Sequence, residues 1–112
     1  MDDWDDLVGF ACALPGAVMD PFYGTPCPKV NGKAFVSPGR EPDSFCLRLP
    51  LPEKELLIET DPETFWETDH YRGYPAVLVR YGRARDRVEM LVRRAWYDRL
   101  KKAEQKAFGE RP

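Results

Sequence analysis

The segment "YPAVLVRY", residues 74–81, decides the fold because its apolar run predicts an interior strand. In an extended chain Val77 and Val79 point to one side, while Ala76, Leu78 and Arg80 point to the other. Both sides are mainly apolar, which is typical of a strand that is covered on both faces. The segment therefore predicts a sheet with further elements packed against it.

Two segments before it predict antiparallel partners. "PKVNGKAFVS", residues 28–37, places Asn31-Gly32 between apolar residues, which is the signature of a two-residue type I′ hairpin turn. In "SFCLRLPL", residues 44–51, apolar residues alternate with Cys46 and Arg48, as in a half-buried strand. The middle of the chain is therefore predicted to be an antiparallel meander.

Three segments predict helices. Residues 2–13 and 86–107 carry apolar positions at helical spacing, and residues 51–61 begin with Pro52 and acidic residues that favour a first helical turn. A short capped turn is predicted after Asp61. The order helix, meander, helix, strand, helix predicts one α+β domain, residues 1–112. We expect a single antiparallel sheet packed by N-terminal, middle and long C-terminal helices.

The composition excludes several classes of protein. Hydrophobic residues make up 43% of the chain and aromatic residues 12%, which favours a packed core over disorder. No apolar run approaches the ~20 residues of a membrane-spanning helix. The start "MDDWDD" lacks the basic and apolar regions of a signal peptide. We therefore expect a soluble, cytoplasmic protein without a membrane partner, either a monomer or a weak dimer.

Little in the sequence favours catalysis, a cofactor or a metal. The three cysteines are widely spaced, so neither a disulfide framework nor a zinc site is predicted. Cys12 and Cys46 are expected in the core, and Cys27 is expected to be the most exposed. A single histidine leaves no Cys–His–acid cluster for nucleophilic catalysis. The N-terminal aspartates are attributed to helix capping and solubility.

Charge is divided unevenly along the chain. Residues 1–70 contain five lysines and arginines against fourteen acidic residues, whereas residues 83–112 contain ten against five. Such a division marks either an electrostatic partner surface or two ends that neutralise each other in the fold. Pairs four residues apart, such as Glu89–Arg93 and Asp98–Lys102, favour ordinary surface ion pairs on the last helix.

Four stretches carry a family resemblance: "ALPGAVMD", "YGTPCPKVNGKAFV", "LRLPLPEKELLIETDPETFWETDHYRGYPAVLVR" and "LVRRAWYDRLKK". They resemble the MmcQ/YjbR family, and the resemblance covers roughly residues 7–102. The resemblance implies a compact α+β fold similar to the frataxin-like, or CyaY-like, arrangement. It also implies DNA binding, since members of this family are widely described in that way. No catalytic residue or cofactor is implied.

The motif "DHYRGYP", residues 69–75, has two interpretations. In the first, Arg72 binds a phosphate, His70 titrates near neutral pH, and Tyr71 and Tyr74 stack on bases. In the second, Gly73 and Pro75 simply form a turn that begins the central strand, with the tyrosines packed over the end of the sheet. Arg72 is the residue that we least expect to be purely structural.

Other positions extend these candidates. Thr25, in "FYGTPCPK", is a candidate to meet the "HYRG" motif and to contact an anion, although a plain β-connection is the favoured explanation. Lys29, Lys33 and Arg80 are predicted to contact phosphates if they share a face with Arg72. The basic C-terminal helix is best explained as a solvated surface. A pI near 5.4 is low for a general DNA-binding protein.

These observations lead to one expected function and two alternatives. We expect a non-catalytic binding module with DNA as the partner that the resemblance implies. The first alternative is a protein–protein interaction module, which requires an exposed apolar patch. The second is a small-molecule or anion site around Thr25, His70 and Arg72, which requires a concave pocket.

Overall fold

The computed structural model describes all residues, 1–112, and shows an α+β fold with four helices and two antiparallel sheets. The elements follow in the order α1 (Trp4–Cys12), β1 (Val18–Phe22), β2 (Thr25–Val30), β3 (Lys33–Ala34), β4 (Val36–Pro38), β5 (Ser44–Arg48), α2 (Leu51–Thr60), β6 (Phe65–Trp66), a 3₁₀ turn (Asp69–Tyr71), β7 (Ala76–Arg80), α3 (Arg85–Tyr97) and α4 (Lys102–Phe108). The α+β class and the antiparallel pairing predicted from the sequence are confirmed.

The strands form two sheets where the sequence predicted one. The first sheet has the order β1-β2-β3 and the second the order β4-β5-β7-β6. The division falls at Phe35, which is fully buried between β3 and β4. Beyond this residue the chain pairs with β5 instead of β2, and Val36 lies opposite Leu47. Burial of one aromatic ring thus bends the predicted hairpin strand out of the first sheet.

Two tight turns shape the first sheet. Asn31 and Gly32 have φ angles of 53° and 77°, which confirms the predicted type I′ turn between β2 and β3. A second two-residue turn joins β1 to β2 at Tyr23 and Gly24, with φ angles of 50° and 82°. This turn is not predictable from the local sequence, because a tyrosine rarely occupies the left-handed region.

Strand β7 lies inside the second sheet, as predicted, with β5 on one side and β6 on the other. Its residues Val77 and Val79 belong to the main core of 18 buried residues, which helices α1 and α3 cover. Leu78 belongs to a smaller cluster on the opposite face, beneath Trp66 and Tyr71. The predicted alternation of side chains is therefore confirmed, and the "DHYRGYP" segment covers the second face.

The C-terminal region is two helices instead of the single helix predicted for residues 86–107. Helix α3 ends at Tyr97, and α4 begins at Lys102. At the break, the side chain of Asn31 donates to the carbonyl oxygen of Arg99 at 3.0 Å and to the Glu104 carboxylate at 2.8 Å. Asn31 of the hairpin turn thus binds the Arg99 carbonyl oxygen, which in a continuous helix would accept a hydrogen bond from a backbone N–H of the next turn.

The two oppositely charged halves of the chain neutralise each other. Four ion pairs join basic residues of the C-terminal part to acidic residues before it: Arg83–Glu63, Arg85–Asp6, Arg94–Glu53 and Arg111–Glu53. The specific pairs predicted within the last helix are wrong, since Glu89 pairs with Arg85 and Asp98 with Arg111. Arg85 and Arg94 of α3 are therefore engaged in ion pairs within the fold, whereas Arg87 and Arg93 lie over aromatic rings and make no ion pair.

Two further expectations concern buried groups. Cys27 is fully buried, so the expectation that it is exposed is wrong; β2 carries it inward between β1 and β3. Cys46 is buried as expected, whereas Cys12 is only partly buried.

Asp3 caps α1 by accepting a hydrogen bond from the backbone N–H of Asp6 at 2.8 Å. None of the helices combines the length and the apolar character that a bilayer-spanning segment requires.

Candidate functional site: an arginine groove with aromatic walls

The β1–β2 turn faces the "DHYRGYP" segment across a cleft of about 410 Å³. Phe22 and Tyr23 line one side, and the opposite side is lined by His70, Tyr71 and Tyr74. Two of these rings are largely open to solvent, since Tyr23 is 95% exposed and Tyr74 is 61% exposed. The structure therefore presents exposed aromatic rings on both walls of one cleft, which we call the aromatic cleft.

Two arginines connect the aromatic cleft to its neighbours. Arg48, at the end of β5, and Arg99, in the linker between α3 and α4, both line the aromatic cleft. The same two residues line adjoining clefts of about 300 Å³ and about 180 Å³. We call the three clefts together the arginine groove. The two side chains come from distant parts of the sequence, so only the tertiary fold brings them together.

Arg48 has no acidic partner. Its guanidinium lies over the Phe22 ring, 5.5 Å from the ring centroid, and its Nη1 contacts the Sγ of Cys46. The cation–π contact orients the side chain but leaves its charge uncompensated. Most of the five N–H donors of this guanidinium therefore remain available to an anion.

Arg99 is the second uncompensated cation. Its Nε is buried and has no hydrogen-bond partner. Burial, followed by repulsion from Arg48, lowers the pKa of the Arg99 guanidinium below its usual range, and the attraction of Asp98 opposes this only in part. The carboxylate of Asp98 is itself engaged by Arg111, which donates to both of its oxygens at 2.8 Å. Two unpaired guanidinium groups thus share one groove.

Lysines extend the positive surface along the 300 Å³ cleft, which Lys29 and Lys33 line together with both arginines. Lys29 is partly compensated, since its Nζ lies 3.1 Å from the Asp20 carboxylate and 6.0 Å from the Phe22 ring centroid. Lys33 makes no ion pair. No acidic residue lines this cleft or the aromatic cleft. The local field of these two clefts is therefore positive even though the chain has a net charge of −2.

One wall of the aromatic cleft is held by a buried lysine that the sequence analysis did not single out. Lys54, in α2, is 1% exposed. Its Nζ donates to the carbonyl oxygens of Tyr71 and Tyr74 at 2.6 and 2.9 Å and lies 2.9 Å from the Glu67 carboxylate. All three N–H groups of the ammonium are thus satisfied. Lys54 positions the tyrosine wall from inside the fold.

The chemistry of the wall suits binding. His70 packs edge-on against Tyr71 with ring centroids 4.9 Å apart. Burial, followed by the neighbouring Cys46, raises the pKa of Tyr71, so its hydroxyl stays protonated at neutral pH. A neutral phenol beside two guanidinium groups adds a hydrogen-bond donor and does not compete with an anionic ligand for the arginines.

Five of the eight site residues predicted from the sequence lie in the arginine groove, and three do not. His70, Tyr71, Tyr74, Lys29 and Lys33 line it. Arg72 points away from it, 75% exposed, and pairs with Asp69 at 2.7 Å. Arg80 stacks over Trp66 at 4.8 Å and donates to the carbonyl oxygens of Pro62 and Glu63.

Thr25 also lies elsewhere. It lines an open cleft of about 670 Å³ together with acidic residues, among them Asp2, Asp3 and Glu41. The predicted meeting of the "FYGT" turn with the "HYRG" motif does occur, but through Phe22 and Tyr23 instead of Thr25. Thr25, His70 and Arg72 therefore do not share a pocket.

Sequence reasoning missed Arg48 and Arg99. Arg48 was predicted to alternate with apolar residues on a half-buried strand, but its neighbours in the fold could not be known from the sequence. Arg99 lay in the predicted helix among many other basic residues. No local signal marked Arg99, because the Asn31 side chain that donates to its carbonyl oxygen lies 68 residues away in the sequence.

Comparison with protein-family models, curated proteins and solved structures gives no match to this chain. The resemblance to the MmcQ/YjbR family therefore stays a prediction from the sequence, and the function has to be argued from the site.

Proposed function

We propose that this protein is a non-catalytic module that binds single-stranded nucleic acid in the arginine groove. The observation that carries the proposal is the pairing of uncompensated cations with exposed aromatic rings. Arg48 and Arg99 supply charge without acidic partners, and Tyr23 and Tyr74 are open to solvent on opposite walls. Proteins that bind single strands combine these two features, because phosphates neutralise the cations while bases stack on the rings.

The charge distribution supports a local site in an acidic protein. Four arginines of the C-terminal part are paired with Glu53, Glu63 and Asp6, and no carboxylate lines the aromatic cleft, so the net charge of −2 does not describe this cleft. A cleft lined by cations and by no carboxylate attracts phosphates at short range. DNA is the form of nucleic acid that the resemblance to the MmcQ/YjbR family favours.

A narrow groove favours single strands over a duplex. The bases of a duplex are stacked on one another and are not free to stack on Tyr23 or Tyr74. The aromatic cleft, at about 410 Å³, has the size of a pocket for a small ligand. It therefore accommodates one or two nucleotides, and flanking phosphates reach Lys29 and Lys33 in the adjoining cleft.

Fluorescence anisotropy with labelled single-stranded and duplex DNA tests this function. Three to four cations contact phosphates in the proposed complex, which corresponds to a loss of affinity of about 20- to 50-fold between 50 and 200 mM salt. Tyr74→Ala is expected to weaken binding by about tenfold or more, since base stacking contributes about 1–3 kcal/mol. Absence of binding to either DNA at 50 mM salt would refute the proposal.

Two variants separate the groove from the rest of the surface. Arg99→Gln removes a groove cation and is expected to lower both affinity and salt dependence. Arg93→Gln is the matched control, since Arg93 is exposed on α3 and packs over Phe10 at 5.1 Å. Arg72→Ala tests the sequence-based prediction directly. If Arg72→Ala abolishes binding while Arg99→Gln does not, the site lies on the exposed turn and not in the groove.

A further inference from the structure

The arginine pair has a property that ordinary phosphate contacts do not explain. Two guanidinium groups repel each other, yet Arg48 and Arg99 line the same three adjoining clefts, and the one carboxylate there, that of Asp98 in the 180 Å³ cleft, is bound by Arg111. The fold keeps them there by contacts other than ion pairs. The Asn31 amide holds the Arg99 backbone, and the Phe22 ring holds the Arg48 side chain.

The Arg99 side chain donates no hydrogen bond within the chain, and its buried Nε has no partner. Such unpaired buried donors are rare in folded proteins, which marks Arg99 as a guanidinium with unused hydrogen-bonding capacity. Arg111 already occupies both oxygens of Asp98, the nearest carboxylate in the sequence. An acceptor for Arg99 therefore has to come from outside the chain.

The charge of the pair selects the kind of acceptor. A phosphodiester inside a strand carries one negative charge, whereas a phosphate monoester carries about −1.5 to −2 at pH 7 and has three terminal oxygens. Two guanidinium groups offer more donors than a diester can accept, and arginine forks bind such oxygens in pairs. The double positive charge thus matches the end of a phosphorylated strand better than its interior.

We infer that Arg48 and Arg99 form a clamp for a phosphate monoester at the end of a nucleic-acid strand, an inference that rests on the proposed single-strand binding. The terminal phosphate lies between the two guanidinium groups. The adjacent base stacks in the aromatic cleft, and the next phosphates follow the Lys29–Lys33 cleft. Binding at a strand end also suits the groove, because neither a duplex nor a long internal segment then has to pass through it.

The test compares hexathymidylates that carry a 5′ phosphate, a 3′ phosphate or hydroxyl groups at both ends, each with the same internal fluorophore. We expect one phosphorylated form to bind about tenfold or more tightly than the hydroxyl form, since each charged hydrogen bond contributes about 1.5–3 kcal/mol. The preference should weaken from pH 7.5 to pH 5.5, because a monoester takes up a proton near pH 6.

Variants show whether the preference for a phosphorylated strand end depends on Arg48 and Arg99. Arg48→Gln and Arg99→Gln should each abolish the preference for the phosphorylated end, while Arg93→Gln should retain it. Because a substitution in the groove can disturb folding, circular dichroism and thermal unfolding are recorded for every variant. Arg99→Lys, which keeps one charge without the fork, is expected to keep strand binding and to lose most of the preference.

The outcomes separate the clamp from the proposed function. Equal affinity for all three strands overturns the clamp and leaves single-strand binding in place. If no strand binds, the midpoint of thermal unfolding is measured with and without thymidine 5′-monophosphate or inorganic phosphate, to test whether the clamp binds a free phosphate. Stabilisation of the wild type but not of Arg99→Gln supports a clamp for free phosphate monoesters and refutes strand binding. No stabilisation by either compound overturns both inferences.

Discussion

Replacement of Lys54 by methionine tests how the aromatic wall is built. Methionine retains most of the volume of the lysine side chain but removes its ammonium group. In the structure this group donates to Tyr71 O and Tyr74 O at 2.6 and 2.9 Å and pairs with Glu67 at 2.9 Å. The Lys54→Met variant therefore loses three interactions at once, at a position that is 1% exposed.

The size of the loss in unfolding free energy depends on the interactions that each partner of the Lys54 ammonium group keeps. Removing one member of a buried ion pair costs about 3–5 kcal/mol. Here the cost is lower, because the Glu67 carboxylate is 31% exposed and stays hydrated. The carbonyls of Tyr71 and Tyr74 also keep hydrogen bonds from the backbone N–H groups of Tyr74 and Ala76, at 3.0 and 2.8 Å. We expect the free energy of unfolding to fall by about 2–3 kcal/mol.

Urea unfolding, followed by tryptophan fluorescence and circular dichroism, measures this loss. Lys106→Met is the matched control, since Lys106 is exposed on α4 and makes no ion pair, so the change should stay within about 0.5 kcal/mol. The double variant with Glu67→Gln measures the coupling of the pair. A loss below about 1 kcal/mol in Lys54→Met, at an unchanged m-value, would show that the buried ammonium does not hold the wall.

Two further changes test the packing and the charge pairs. Gly39→Ala should destabilise the fold by about 2 kcal/mol, because its Cβ would lie 2.7 Å from the Ser44 carbonyl oxygen. Gly9→Ala, in an open part of α1, should instead stabilise by about 1 kcal/mol, and thermal unfolding of both variants checks this contrast. The hydrogen bond from Arg111 lowers the pKa of Glu53 below 4.5, so this pair stabilises the fold above that pH and loses its effect as the pH falls further. Glu53→Gln should therefore cost about 1 kcal/mol at pH 7 and progressively less below pH 4.5, in urea titrations at each pH.

The regular elements could be predicted because their signals are local. The alternation in "YPAVLVRY" and the pair Asn31-Gly32 depend only on neighbouring residues, and both are confirmed. The single sheet and the continuous last helix differ from the structure for one physical reason. In both places a distant contact overrides the local pattern: burial of Phe35 bends the strand, and Asn31 binds at the break between α3 and α4.

The candidate site was predicted in part. The aromatic and basic character of "DHYRGYP" pointed to one wall of the groove, and Tyr71 and Tyr74 lie there. Arg72 was favoured because an isolated arginine in a turn looks unexplained in sequence. The structure pairs it with Asp69, three residues away, at the surface. The uncompensated arginines were not singled out, because Arg48 lay in a predicted strand and Arg99 in the predicted last helix.

The sequence by itself determined the element types, the antiparallel pairing and the position of the tight hairpin turn, since these depend on side-chain alternation and on backbone preferences within a few residues. Tertiary structure alone decided which charges are neutralised and which are not. Glu53 lies far along the chain from Arg111 and compensates it, while Arg48 and Arg99 meet without a carboxylate. Electrostatic energy depends on distance in space, and only the folded chain sets that distance.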